Sequence, residues 1–60
     1  MKQLTFENIL EDMGNLKQKV WGLNLIFDLL EALKITGDTE KLEQLQAKME
    51  SEGINFKQSN

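Results

Sequence analysis

The sequence has no cysteine, no histidine and no proline. Without thiols there is no disulfide framework, no thiolate nucleophile and no zinc finger, and without imidazole the commonest acid–base group at neutral pH is missing. With no proline, and with Gly14, Gly22, Gly37 and Gly53 as the only glycines, long helices are favoured. Positive charge is also scarce. Seven Lys plus Arg face ten Asp plus Glu, a net charge of −3, which weighs against nucleic acid as the default partner. The N-terminus lacks the apolar core of a signal peptide. The most apolar window, 20–35, carries Asn24, Asp28, Glu31 and Lys34 and is too short to span a bilayer. The expectation is a cytoplasmic protein without a membrane segment, and Met1 with the polar tail reads as a complete small product.

Sixty residues allow one domain at most. Chains of this size bury a smaller share of their surface than larger domains do and are usually stabilised by disulfides, a metal or a partner subunit. Cysteine is absent and no soft metal ligands are present, so oligomerisation is the device left, with no metal and no cofactor expected.

What the chain does contain is a ladder. Phe6, Ile9, Met13, Leu16, Val20, Leu23, Phe27 and Leu30 alternate at intervals of three and four residues, the a/d pattern of a helix with an apolar seam. The spacing predicts one long helix over about 5–35, with Thr5 as N-cap and Glu7 in the first turn. Gly14-Asn15 is the alternative breakpoint, with Gln18 placed for a capping box, but the phase runs through Gly14 without a slip. Gly22 either permits a close helix crossing or is a tolerated weak point.

Thr36-Gly37-Asp38-Thr39 is the clear interruption: Gly37 suits a left-handed helix end, and Asp38 or Thr39 can cap the next helix. That short second helix is expected over about 39–52, with Leu42, Leu45 and Met49 as its stripe. Gly53 then ends it, and Ile54 supplies the apolar contact of a Schellman stop. A flexible tail is expected at 57–60.

The fold expected is therefore all-α, a helical hairpin of one long and one short helix in a single domain over 1–60. From residue 20 the long helix is apolar almost all round, its polar Asn24, Asp28 and Glu31 crowding into a wedge of roughly 60°. Trp21, Leu25, Leu29 and Ala32 form a second stripe away from the ladder, and Ile26 and Leu33 bridge the two. The second helix, about 20 Å long, reaches less than half of a first helix of about 45 Å. The first-half seam or the Trp21 stripe is then left open, so a homodimeric bundle is expected. Two long helices packed antiparallel let the first-half seam of one copy cover the second half of the other; a parallel coiled coil is the alternative. The interface residues expected, for the oligomer or for a partner, are Phe6, Ile9, Met13, Leu16, Val20, Trp21, Leu25 and Leu29. Among these Trp21 stands out, because tryptophan is an interface anchor.

Catalysis needs an activated nucleophile, a tuned carboxylate pair or a metal. Thr5, Thr36, Thr39, Ser51 and Ser59 fall at caps, loops or the tail with no imidazole in the chain to activate them, and Glu7, Glu11 and Asp12 read as a solvated face. The expected function is a small non-enzymatic interaction protein, a homodimeric regulator or inhibitor of a partner macromolecule such as a phage or plasmid might encode. Trp21, Leu25 and Leu29, or the acidic Glu7, Glu11 and Asp12, would carry the contact. Two alternatives stand beside it: an RNA-binding regulator of the helical-hairpin dimer type, presenting Lys17 and Lys19, and a structural or scaffold oligomer.

Overall fold

The computed structural model describes residues 5–55; Phe56 and the tail expected at 57–60 lie outside them. Four helices come in succession: α1 (Phe6–Glu11), α2 (Met13–Leu16), α3 (Val20–Thr36) and α4 (Thr39–Ser51). No strand occurs among the described residues. The fold is all-α, as its period of three and four residues requires.

Local signals act where the sequence places them. The Thr5 hydroxyl accepts from the Asn8 N–H at 3.2 Å and starts α1. Gly37 ends α3 at φ 76°, and the Asp38 carboxylate accepts from the Lys41 N–H at 3.3 Å to start α4. At the end of α4, the Ile54 N–H reaches the Met49 carbonyl at 2.9 Å and the Gly53 N–H reaches that of Glu50 at 3.1 Å. That pair of bonds is a Schellman motif, with Gly53 at φ 77° and Ile54 buried beneath it.

The single long helix expected over 5–35 is not what forms. It divides twice, and neither division falls at Gly14, which lies inside α2. The first division is shallow. Asp12 departs from helical geometry (φ −94°, ψ 8°), yet its N–H still reaches the Asn8 carbonyl at 2.9 Å and its own carbonyl accepts from Leu16 at 2.8 Å. Helices α1 and α2 thus form one bent segment. The second division is a true elbow at 17–19, where Lys19 is extended (φ −119°, ψ 142°).

The elbow folds the first segment back onto the rest of the chain. At one end the Lys41 ammonium lies 5.7 Å from the Phe6 ring. At the other, the Lys17 ammonium donates to the Glu52 carbonyl at 2.7 Å and pairs with its carboxylate at 3.3 Å. The step from Phe6 to Lys17 equals that from Lys41 to Glu52, so the first segment runs parallel to α4 and antiparallel to α3. Helices α3 and α4 form the expected hairpin; the α1–α2 segment is a third leg laid along it.

The core is set by that arrangement. Ile9, Met13 and Leu16 enter from the first segment, Ile26, Leu30 and Leu33 from α3, and Leu45, Met49 and Ile54 from α4 and its stop. No polar side chain is buried among the described residues. Two expectations are corrected here. The first-half seam does not wait for a second copy, because its own chain covers it. The seam also does not continue intact past the elbow: Leu30 stays in the core and Leu23 at its edge, but Val20 and Phe27 turn outward, since breaking the helix resets its rotation. On α3 the inward face is Gly22, Ile26, Leu30 and Leu33, so the two residues read as bridges are core. Relative to Ile26, Val20 and Phe27 are turned away by about 120° and 100°.

Candidate interaction surface

Four large apolar side chains remain exposed among the described residues, and all four are on α3: Val20 at 79%, Trp21 at 56%, Phe27 at 37% and Ile35 at 79%. Their placement is dictated by the helix rotation. Taking about 100° per residue from Ile26, Trp21, Leu25 and Ala32 lie on one flank and Val20 and Phe27 on the other, with Asn24, Asp28 and Glu31 between them. Leu25 and Leu29 are half-buried and pack against the edge of the core, whereas Trp21 and Ala32 stand clear of it. The Trp21 stripe expected from the sequence therefore exists as a flank running from an exposed indole to a half-buried leucine pair.

The indole has one near neighbour of opposite character. The Lys19 ammonium lies 6.0 Å from the Trp21 ring centroid, at the outer range of cation–π attraction. Because Lys19 is the extended elbow residue, the contact is made across the start of α3.

The eight residues expected at an interface thus separate into three sets. Ile9, Met13 and Leu16 are sealed in the chain's own core, and Phe6 is half-buried at its rim under Lys41. Leu25 and Leu29 are half-buried, while Val20 and Trp21 are exposed. Ile35 is not among the eight, although it succeeds Trp21 and Asp28 at steps of seven residues, a spacing legible in the sequence. What hides it is its place beside the Thr36-Gly37 stop, where an apolar residue reads as part of the turn.

The charged groups are placed as informatively. Lys17, one of the two lysines that a nucleic-acid surface would present, is turned inward onto the end of α4. Lys48 also reaches the Glu52 carboxylate, at 3.6 Å. Glu52 therefore gathers two ammonium groups and a carbonyl contact at the lower end of the bundle. Glu7 and Glu11 are exposed on α1, with Asp12 half-buried at its end. Among the described residues no group of three or more acidic side chains is arranged to hold a metal ion, and no helix is long and apolar enough to cross a membrane.

No family model matches the chain, and no curated protein or solved structure shows significant similarity to it. Its function is therefore argued from its own surface.

Proposed function

We propose that this chain is a small non-enzymatic protein–protein interaction module, a homodimeric regulator or inhibitor of a partner macromolecule, working in the cytoplasm. The observation that supports this reading is the concentration of exposed apolar area on one helix. Every large apolar residue left uncovered among the described residues belongs to α3, while those of the other described helices are buried or half-buried. Scattered single exposures need no explanation, but their concentration on one helix, with Trp21 beside the half-buried Leu25 and Leu29, supports a contact surface there.

Trp21 is the anchor. A tryptophan buries up to about 250 Å², so covering its exposed 56% at ~25 cal/mol/Å² contributes about 3 kcal/mol. That is more than a hundredfold in affinity. The contact would run from Trp21 over Leu25 and Leu29, with Asp28 at its polar rim.

Trp21 is also the only tryptophan, which makes the test direct. Its fluorescence should shift to the blue when a partner or a second copy covers it. Affinity capture with the native chain should enrich a protein that Trp21→Asp fails to hold, while Glu7→Lys leaves capture intact. Equal capture by both variants and the native chain would move the contact elsewhere.

A further inference from the structure

The sequence ladder and the folded chain disagree at one place, and the disagreement has a structural meaning. From residue 6 to residue 30 the three-and-four spacing passes through 17–19 without a slip, yet beyond the elbow the folded monomer keeps only Leu30 of that seam in its core, with Leu23 at the edge. Its other two members beyond the elbow turn outward, leaving Val20 79% and Phe27 37% exposed. Nothing local compels the break. The elbow holds Lys17, Gln18 and Lys19, all of good helix propensity, and Lys17 is already helical at φ −65°, ψ −17°.

We infer that the chain has a second, open form in which the elbow straightens, the first segment and α3 become one helix, and two copies exchange their first segments. This deepens the homodimer reading above and rests on it. In the closed form the first segment lies antiparallel to α3. Exchange therefore generates two long antiparallel helices, each placing its Ile9 and Met13 in the partner's core against the same residues that receive them in the monomer, while Leu16, next to the hinge, gives up its close approach to Gly22. Such exchange of an identical element is a low-cost route to a dimer, because only the hinge changes. Here the hinge change is favourable on two counts. It restores helical hydrogen bonding across 17–19 and returns Val20 and Phe27 to the phase of Leu16 and Leu23.

Two features hold the chain closed and give separate handles on the equilibrium. The first is Gly22, where a Cβ would run into the Leu16 carbonyl. Only glycine lets the end of α2 cross α3 so closely. In a continuous helix the same position favours alanine. The second is Lys19, whose φ of −119° and ψ of 142° are those a residue adopts before proline. Val20 is the first residue of α3, where proline is accepted. Val20→Pro thus fits the closed form, whereas in an unbroken helix it removes a hydrogen bond and clashes with the preceding turn.

The experiment is sedimentation equilibrium from micromolar to millimolar chain on the native protein, Gly22→Ala, Val20→Pro and Trp21→Asp, each with helix content from circular dichroism. Gly22→Ala should lower the dimer Kd by on the order of a hundredfold, since both chains gain helix propensity and lose the closed alternative. Val20→Pro should stay helical and monomeric throughout. The absence of cysteine permits a second readout: Phe6→Cys with Lys41→Cys, joined by a short bis-maleimide. That pair should link within one chain in the Val20→Pro background and between two chains in the Gly22→Ala background. A Gly22→Ala chain that is unfolded, or monomeric at every concentration, overturns the exchange. A dimer that ignores Val20→Pro, falls apart with Trp21→Asp and links only within chains overturns the exchange but keeps the homodimer. Monomers in all four proteins at millimolar concentration remove the homodimer as well.

Discussion

The two halves of the apolar ladder make an instructive pair. Ile9, Met13 and Leu16 in the first half, and Val20 and Phe27 in the second, share one spacing and carry side chains of comparable size. The first three are buried; the last two are exposed, while between and after them Leu23 stays at the core edge and Leu30 within the core. Periodicity describes which residues share a face while a helix lasts, and it is silent about whether the helix lasts. Once the chain turns at 17–19, the second half rotates against the first, and Ile26 and Leu33 take the inward positions instead. What differs between the halves is their relation to the elbow, not their composition.

The strongest test of that contrast is truncation on either side of it. Met13→Ala removes a fully buried side chain and should cost about 2–5 kcal/mol, enough to unfold much of a chain this small. Val20→Ala should stay within about 0.5 kcal/mol in the closed form. Urea titration monitored by circular dichroism measures both. Equal losses at the two positions would mean that the halves share one environment after all.

A smaller contrast of opposite sign separates two glycines on either side of the elbow. Gly22→Ala forces a Cβ onto the Leu16 carbonyl and should destabilise the closed monomer by about 1–3 kcal/mol. Gly14→Ala meets only the end of the Glu52 side chain, at 3.5 Å, and should stabilise by up to about 1 kcal/mol through helix propensity. Thermal melts at low micromolar concentration, where the monomer dominates, read the two signs directly.

The clasp between the elbow and α4 is worth less. Lys17→Met keeps the aliphatic stem but gives up the bonds to Glu52. Because both side chains remain partly solvated, the loss should be about 0.5–1 kcal/mol. Added salt should narrow the gap to the native chain, because screening weakens the ion pair. A loss that salt leaves unchanged would place the effect in packing of the stem rather than in charge. The most local effect belongs to Thr5→Ala, with a loss of about 1 kcal/mol or less from an exposed cap; amide exchange confined to the first turn of α1 would report it.

Much of the molecule was legible before any packing was considered, and the legible parts share a cause. Thr5, Gly37, Asp38, Gly53 and Ile54 act through hydrogen bonds and backbone angles within a few residues of themselves, so their roles are written in local sequence. The stripe of α4, with Leu45 and Met49 buried and Leu42 half-buried, comes from the same local period. The exposed Trp21 was legible for a related reason: no rotation of α3 that buries Ile26 and Leu30 also buries a residue on the far side of the helix.

Composition and pattern alone therefore determined an all-helical chain, its turn at Gly37, its stop at Gly53 and an excess of apolar positions on the segment after residue 20. They could not determine the elbow. Lys17, Gln18 and Lys19 carry no breaking signal, and the close approach at Gly22 becomes visible only when Leu16 lies against it. The tertiary structure decided that the first segment folds back, because bending an otherwise good helix has a local cost while burying Ile9, Met13 and Leu16 against α3 and α4 returns more. That choice also decided which apolar residues a partner can reach, since hydrophobic burial depends on contact in space rather than order along the chain.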